Sequence, residues 1–299
     1  MAEKRKKKRK KRRGCLSRLL TLALVIAALA AFYNYSNHSI QVEKVDFTSR
    51  RLPALFDGYR IVQISDLHGA EFGEDNEKLL HEVKRAKPDC IVLTGDLVDQ
   101  YRGADYGQIR QLATALSAIA PSYFVTGNHE WAVGSVPELK ALLTECGVGV
   151  LSNEYVTLTK GNDSIVLAGI DDPNGYADQK TPEALAAEIA AAEGEPFWIL
   201  LAHRNNRFRE QYSLLGADLT ISGHGHGGLI RLPFTDGLIS TDRTLVPTHT
   251  DGFYEDNGAT VFVSRGLGNS GITRRLFNRP QLAVLTLRYD VPSSCVADG

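Results

Sequence analysis

Histidine, aspartate and asparagine residues form five short clusters in this chain, each at or just beyond the end of an apolar run. The clusters are Asp66-Leu67-His68, Gly95-Asp96, Gly127-Asn128-His129-Glu130, His203 and His224-Gly225-His226. Mixed imidazole and carboxylate donors are typical of Zn, Mn and Fe sites rather than Ca sites. Because the loops beyond the carboxyl ends of strands converge on one rim of an open α/β sheet, these distant residues can share one site there.

The first two clusters suit metal binding when they are taken together. Asp66 and His68 are two residues apart on what we expect to be an extended segment, so both side chains should point to the same side. Asp96 brings a carboxylate at the end of the next strand, and a carboxylate can bridge two cations. The ordinary alternative for Asp96 is a turn or helix-cap residue.

The glycine-flanked clusters are more specific. A turn at Gly127 presents the Asn128 amide and the His129 imidazole side by side, and a purely structural turn would leave the histidine unexplained. His224 and His226 lie among glycines that offer little bulk for packing, which makes a core role a poor explanation for either histidine.

Alternating strands and helices must position these clusters, and the chain has that pattern from Tyr59 onward. Strands are predicted at 60–65, 90–94 and 122–126, each followed by a helix, at 76–86, 106–119 and 137–146. Next come a hairpin with strands at 155–159 and 164–170, a helix from Pro182 that ends before Gly194, and strands at 197–202, 219–222, 260–264 and 282–288. This mixture of crossovers and hairpins predicts an α/β (α+β) fold in which two mixed β-sheets pack face to face, with helices outside.

The N-terminal residues predict a membrane anchor. An unbroken basic run from Lys4 to Arg13 precedes an apolar, charge-free stretch from Leu19 to Tyr33. This stretch is shorter than the roughly 20 residues that span a bilayer, but its flanks can extend it into the interfaces, so we expect one transmembrane helix over residues 15–36. The positive-inside rule then places the basic tail in the cytoplasm and the following domain outside, in a single-pass protein of the cell membrane.

Other interpretations of this segment stay open. Ala28-Leu29-Ala30 has the form of a signal-peptide cleavage site, which would give a secreted protein. Arg12-Arg13 permits twin-arginine export, although Cys15-Leu16 matches that signal poorly. The basic run alone also fits a solvated tail or a nuclear-localisation-like patch.

Charge argues against a nucleic-acid partner. The whole chain has a formal net charge of −1, and residues 1 to 18 contribute +10 from 11 Lys or Arg and one acid, so the remainder carries −1 − 10 = −11. Phosphate backbones require a basic face, which this acidic remainder does not offer.

The order Asp-x-His, Gly-Asp, Gly-Asn-His-Glu, His, Gly-His-x-His resembles the calcineurin-like metallophosphoesterase superfamily. All five motifs are present between residues 60 and 226. Residues 263–268, Val-Ser-Arg-Gly-Leu-Gly, followed by Arg279-Pro280 and a final strand, look like the bacterial membrane-associated or exported branch that includes the YkuE-like and YaeI-like phosphodiesterases.

The resemblance implies a site with two divalent metal ions, of Mn, Fe or Zn, whose identity stays open. One ion would be held by Asp66, His68, Asp96 and His226, and the other by Asp96, Asn128, His203 and His224, so that Asp96 bridges them. His129 would be the catalytic group that protonates the leaving oxygen or steadies the transition state.

In function, the resemblance implies a dinuclear-metal-dependent phosphoester hydrolase. We expect a phosphodiesterase or pyrophosphohydrolase in which a metal-activated hydroxide attacks a membrane- or envelope-associated phosphodiester, including a lipid-linked one. The alternatives are a phosphomonoesterase or broad nucleotide hydrolase on the same metals, and a non-catalytic, metal-bound envelope scaffold. The oligomeric state stays open.

The residues that follow the fourth motif differ from those of many relatives. Many relatives continue the fourth motif with Pro-Asp, whereas here Arg204-Asn205-Asn206 follows His203. Arg204, Asn205 and Arg265 are candidate substrate-binding residues, although an arginine after a strand is more often solvated or salt-bridged.

The sequence predicts five segments. They are a basic cytoplasmic tail (1–14), a transmembrane signal-anchor (15–36), a membrane-proximal stem with a first strand (37–58), a metallophosphoesterase domain (59–290) and a C-terminal tail (291–299).

Overall fold

The computed structural model describes residues 2–228, 231, 237 and 249–290. Its helices are α1 (Ala2–His38), α2 (Glu77–Ala86), α3 (Tyr106–Ser117), α4 (Asn128–Val133), α5 (Val136–Glu145) and α6 (Pro182–Glu193). Its strands are β1 (Gln41–Ser49), β2 (Arg60–Ile64), β3 (Cys90–Thr94), β4 (Ser122–Val125), β5 (Val148–Val150), β6 (Glu154–Lys160), β7 (Asp163–Gly169), β8 (Trp198–Arg204), β9 (Leu219–Gly223), β10 (Gly252–Asp256), β11 (Ala259–Val263) and β12 (Gln281–Tyr289).

Two six-stranded mixed sheets account for the strands of the described residues. The first has the order β1-β12-β2-β3-β4-β5, and the second has the order β10-β11-β9-β8-β7-β6. In the first sheet β2, β3, β4 and β5 are parallel neighbours, and in the second β7, β8 and β9 are. The carboxyl ends of β2, β3 and β4 therefore meet at one edge of the first sheet, and those of β8 and β9 at one edge of the second.

Apolar side chains hold the sheets together face to face. Val92 of β3, Val125 of β4 and Ile199 of β8 belong to one buried cluster between the sheets. A second cluster joins the outer face of the first sheet to α2, α3 and α5, and a third joins the second sheet to α6. The predicted fold of two packed sheets flanked by helices is confirmed.

The predicted elements match the observed ones, with bounds that differ by at most two residues. The hairpin β6–β7 turns at residues 161–162, and α6 begins at Pro182 and ends before Gly194. The sequence predicts no separate element for α4, which follows Gly127 where only a turn is expected, nor for β5 or β10, whose short runs are only partly buried. The predicted C-terminal tail, 291–299, lies outside the described residues.

Helix α1 contains a segment with the length and composition of a membrane span. Leu16–His38 has 23 residues and a mean hydropathy of 2.0, and none of its most apolar window is buried against the rest of the chain. The helix begins at Ala2 and so includes the basic run as well as the apolar stretch.

Candidate metal centre

The seven predicted metal ligands lie together at the strand ends where the two sheets meet. Asp66 and His68 follow β2, Asp96 follows β3, and Asn128 begins α4 just after β4. His203 lies near the end of β8, beside an irregularity in its pairing with β9, and His224 and His226 follow β9. Three overlapping groups place donor atoms within 4.8 Å of one another: Asp66 with His68 and His226, His68 with Asp96 and His129, and Asp96 with His203 and His224.

Left-handed backbone conformations occur at five of the seven ligands. The φ angles are 51° at Asp66, 49° at His68, 55° at Asp96, 68° at His224 and 48° at His226. Such conformations cost a non-glycine residue about 1–3 kcal/mol each and persist where the surrounding structure enforces them, as at functional sites. The expectation that Asp66 and His68 occupy an extended segment is wrong, although both side chains still reach the same cluster.

The loop after β2 is held in place by backbone hydrogen bonds. The amide of Asp66 donates to the carbonyl of Gly95 at 3.1 Å, and the amide of His68 donates to the carbonyl of Asp96 at 2.9 Å. These bonds attach the first ligand loop to the second. They explain the tight turns, because an extended segment could not follow the neighbouring loop in this way.

One half of the cluster directs two imidazoles and a carboxylate at a common point. The Nε2 atoms of His68 and His226 are 3.0 Å apart, and Oδ1 of Asp66 is 3.4 Å from Nε2 of His226. Burial lowers the pKa of His68 well below its usual range and that of His226 to about 4, so both rings are neutral near pH 7. Neutral imidazole is the form that binds metal ions.

The other half is centred on His203. Its Nδ1 is 2.8 Å from the carbonyl oxygen of Thr94, which can only accept, so Nδ1 carries a proton and donates. Its Nε2 faces Oδ2 of Asp96 at 3.2 Å and Oδ1 of Asn128 at 3.3 Å. A backbone acceptor on one ring nitrogen is the usual way in which proteins orient a metal-binding histidine.

Charge on Asp96 dominates the electrostatics of this half. Burial acts to lower the pKa of His203, but the adjacent Asp96 carboxylate outweighs it and raises that pKa to about 10. Burial likewise acts to raise the pKa of Asp96, but the charge and hydrogen bond of His203 hold it well below its usual range. Without a metal ion, Asp96 and His203 therefore form a buried ion pair.

His129 lies beside the cluster with a fixed ring orientation. Its Nδ1 accepts a hydrogen bond from the backbone amide of Gln100 at 2.9 Å, so the neutral ring carries its proton on Nε2. That nitrogen lies 3.9 Å from Oδ2 of Asp96 and 3.4 Å from Oγ of Ser270. The proton-bearing side of His129 therefore faces the cluster.

Glu130 connects the Asp96 loop to α4. Its carboxylate accepts hydrogen bonds from the backbone amides of Asp96 at 2.9 Å, Leu97 at 2.7 Å, Val98 at 3.2 Å and Gly127 at 2.7 Å. Burial raises the pKa of Glu130 to about 7, while these amides favour its ionised form. A side chain at Gly127 would collide with Asp96, so glycine is needed for this approach.

The three candidate substrate-binding residues are engaged with other parts of the protein. Arg204 pairs with Asp172 through Nε at 2.7 Å and Nη2 at 3.2 Å. Arg265 pairs with Asp251 at 2.6 Å and with Glu43 at 3.1 Å. Asn205 is buried, and its Nδ2 donates to the carbonyl of His249 at 2.7 Å.

Arg275 and Asn278 support the cluster but were not among the candidates. Arg275 is fully buried; its Nη2 donates to the carbonyls of Arg265 at 2.7 Å and Gly268 at 2.8 Å, and lies 3.3 Å from Nδ1 of His226. Asn278 donates to the carbonyl of His226 at 2.7 Å. No sequence signal distinguishes Arg275 from its exposed neighbour Arg274, because its burial depends on contacts across the fold.

The donor set fits a pair of divalent cations. His68, His203 and His226 direct ring nitrogens at carboxylates or at one another, and Oδ2 of Asp96 lies between the two halves, 3.8 Å from His68 and 3.2 Å from His203. The buried carboxylate of Asp96 needs positive charge, which protonated His203 supplies without metal and which cations at these two places would supply when bound. Imidazole and carboxylate donors suit Mn, Fe or Zn.

Several known proteins are similar to this chain. The family model for calcineurin-like phosphoesterases matches residues 59–269. The metallophosphoesterase YkuE of Bacillus subtilis is 31% identical over 277 residues, which cover 89% of this chain and 94% of that protein. A protein from Danio rerio, named as a transmembrane protein with a metallophosphoesterase domain, is 29% identical over 91% of this chain and 63% of its own length.

Among solved structures, a dimetal phosphatase from Danio rerio is similar at 14% identity, over 70% of this chain and 88% of that one, with a TM-score of 0.46. The apolar N-terminal helix and the relatives named as transmembrane proteins together suggest a membrane protein.

Proposed function

Because the chain belongs to the calcineurin-like metallophosphoesterase family and is a hydrolase of phosphoesters, we propose that it is a phosphodiesterase or pyrophosphohydrolase that acts on a membrane- or envelope-associated phosphodiester. The observation that carries the proposal is the cluster itself, in which donors from five strand ends surround the buried carboxylate of Asp96. In this proposal Asp96 bridges two divalent cations.

We assign one cation to Asp66, His68, Asp96 and His226. The contacts of the first half of the cluster support this assignment, because Nε2 of His226 lies 3.4 Å from Asp66 and 3.0 Å from Nε2 of His68. The second cation takes Asp96, Asn128, His203 and His224, supported by the distances around Nε2 of His203.

Two divalent cations this close would supply a water of lowered pKa and neutralise charge at phosphorus. The protein itself contributes His129, whose Nε2–H faces the cluster and can donate a hydrogen bond to the departing oxygen as negative charge develops on it. The backbone amide of Gln100 keeps the proton on Nε2, so the neutral ring steadies the transition state rather than giving its proton away. A single well-placed donor of this kind is typically worth about 10²–10³ in rate.

Charge around the cluster favours a diester over a monoester. Arg204 is paired with Asp172, and Arg265 with Asp251 and Glu43, so neither guanidinium is available to a second phosphate charge. A diester carries one negative charge at the reacting phosphate and a monoester close to two. The alternatives remain a phosphomonoesterase or broad nucleotide hydrolase and a non-catalytic scaffold.

Hydrolysis of two nitrophenyl esters tests the proposal. The protein with added Mn²⁺ should hydrolyse bis-p-nitrophenyl phosphate faster than p-nitrophenyl phosphate. Asp96→Asn should abolish both activities, whereas Asp178→Asn, at an exposed carboxylate, should retain them. Preference for the monoester would favour the phosphomonoesterase, and no hydrolysis of any phosphoester would favour the scaffold.

For the location, we propose a membrane anchor over residues 15–36, a stem from 37 to 58 and a hydrolase domain from 59 to 290, with the basic tail in the cytoplasm and the domain outside. The hydropathy of Leu16–His38 and the flanking basic run support this topology. Protease added to intact cells should digest the domain and spare the tail. An N-terminus at Ala31 in the mature protein would instead indicate a secreted form.

A further inference from the structure

The segment from Asn269 to Asn278, between β11 and β12, carries an exposed apolar surface. We call it the apolar loop. Ile272 is 94% exposed, Phe277 53% and Leu276 39%. Tyr101, 72% exposed, packs beside Gly271, because a Cβ there would lie 2.9 Å from its ring. Exposed apolar patches of this kind usually mark a binding surface.

The apolar loop contacts the end of α1. The rings of Phe277 and Phe32 have centroids 5.0 Å apart, and Nε of Arg274 donates to the hydroxyl of Tyr33 at 2.7 Å. Asn37 is buried and both donates to the carbonyl of Arg275, at 3.2 Å, and accepts from its amide, at 2.9 Å. The helix end and the apolar loop therefore form one packed unit.

These contacts place the apolar loop at membrane depth if α1 spans a bilayer. Phe32 and Tyr33 lie inside the apolar segment Leu16–His38. Phe32 precedes His38 by six residues, or about 9 Å along the helix axis. A side chain that packs on Phe32 must lie at the same depth, whichever way the helix is oriented. Aromatic rings with nearby arginines are typical of the region where acyl chains meet headgroups.

The same loop reaches the metal centre. Oγ of Ser270 is 3.4 Å from Nε2 of His129, and the amide of Gly271 donates to Asp99 at 2.8 Å. Ile272 follows Ser270 by two residues, a span of at most about 7 Å. The most exposed apolar side chain of the loop is thus only a short distance from His129.

Two adjoining clefts extend from the helix end to the loop that carries His68. A cleft of about 390 Å³ is lined by Tyr33, Asn37 and Arg274. A second cleft, of about 740 Å³, is lined by the candidate ligand His68. Both are lined by Gly69, Glu71 and Arg102, so the two clefts adjoin.

We propose that the apolar loop inserts into the interfacial layer of the lipid bilayer and that the hydrolysed phosphoester is the headgroup of a lipid residing in that bilayer. The proposal rests on the proposed hydrolase function for its substrate, but not for the membrane contact. A lipid whose acyl chains stay in the bilayer beside α1 can present its phosphate to the clefts without leaving the membrane.

Tryptophan quenching tests the membrane contact. The full chain carrying Ile272→Trp is reconstituted in phosphatidylcholine–phosphatidylglycerol vesicles, with and without brominated phosphatidylcholine. Leu214→Trp is the matched control, because Leu214 is also exposed, at 67%, and lies in a short helical turn next to β11. After the emission of the native tryptophans is subtracted, the residue at 272 should be blue-shifted and quenched by bromine, and the residue at 214 should not. Equal quenching at both positions overturns the proposal.

Kinetics test the substrate class. Hexadecyl p-nitrophenyl phosphate in the same vesicles is compared with soluble bis-p-nitrophenyl phosphate. Ile272→Asp should lower the ratio of kcat/KM for the first ester to that for the second about tenfold, equivalent to about 1.4 kcal/mol, and Leu214→Asp should leave the ratio unchanged. An unchanged ratio in Ile272→Asp overturns the lipid assignment. If the wild-type protein hydrolyses neither ester, the proposed hydrolase function fails, while the quenching result still decides the membrane contact.

Discussion

Binding of a metal ion at His203 should release one proton from the protein. Without metal, the Asp96 carboxylate overcomes the effect of burial and raises the pKa of His203 to about 10. The Nδ1 proton stays on the Thr94 carbonyl, so the proton that must leave is the one on Nε2. The other candidate imidazoles, His68, His224 and His226, have lowered pKa values and lose no proton near neutral pH.

The free energy needed to remove this proton follows from the difference between the pH of the experiment and the pKa of His203. At pH 6.5 essentially every His203 is protonated, and removing its proton costs about 5 kcal/mol relative to pH 10. The apparent affinity for the second cation should therefore rise about tenfold per pH unit between pH 6.5 and 9.5.

Calorimetric titration with Mn²⁺ at pH 6.5, in buffers of different ionisation enthalpy, counts the released protons. His203→Gln keeps an oxygen donor but has no proton to lose, so the wild type should release one proton more than this variant. Any proton lost from bound water is common to both proteins and cancels in the difference. Equal release by the two proteins, or an affinity independent of pH, would refute the proposed pairing of His203 with Asp96.

Three further predictions concern neighbouring groups. His129→Ala should reduce turnover of bis-p-nitrophenyl phosphate about 10²–10³-fold while both metal ions stay bound, as measured by elemental analysis; His81→Ala, at an exposed histidine on α2, is the control, and a fully active His129→Ala protein would exclude a role for the Nε2–H donor in the transition state. Glu130→Gln should weaken metal binding about 10–100-fold, as measured in competition with a chelator. The reason is that four backbone amides of the ligand loops lose their carboxylate acceptor. Unchanged metal affinity would show that Glu130 does not position Asp96. In the presence of a chelator that removes metal ions, the contribution of His203 to the free energy of unfolding should be complete below pH 6.5 and lost as the pH rises through about 10, because folding raises the pKa of this histidine. Thermal unfolding of the wild type should show this loss relative to His203→Gln. Parallel pH profiles of the two proteins would contradict it.

Much of the fold follows from local patterns in the sequence. The strands β2, β3, β4, β8 and β9 are short apolar runs that end at polar clusters, and parallel strands bring their carboxyl ends to one edge. That argument alone is enough to bring Asp66 and Asp96 together at the edge of the first sheet. His203 belongs to the second sheet and joins them only because the two sheets pack face to face.

Features that depend on contacts between distant segments could not be predicted in this way. The left-handed turns at Asp66 and His68 arise because their amides bond to the neighbouring loop. Pairing of Arg204 with Asp172 likewise depends on how β8 meets the loop after β7. The side chain of Arg275 is buried between the carbonyls of Arg265 and Gly268 and the ring of His226, which is 49 residues away in the sequence.

The contact between α1 and the apolar loop is also a property of the folded chain. Asn37 and Arg275 are 238 residues apart, and neither belongs to a recognisable motif. Hydropathy predicts an anchor, but only the folded chain places the end of that anchor beside the loop that carries Ser270.

The most direct test of the central claim is the metal content of the purified protein after Mn²⁺ loading, measured together with its hydrolysis of bis-p-nitrophenyl phosphate. We expect two metal ions per wild-type chain, and we expect Asp96→Asn to bind at most one and to lose hydrolysis, because this residue contributes to both halves of the cluster. A wild-type chain that hydrolyses the diester with a single ion, or an Asp96→Asn chain that keeps two ions and full activity, would contradict the account.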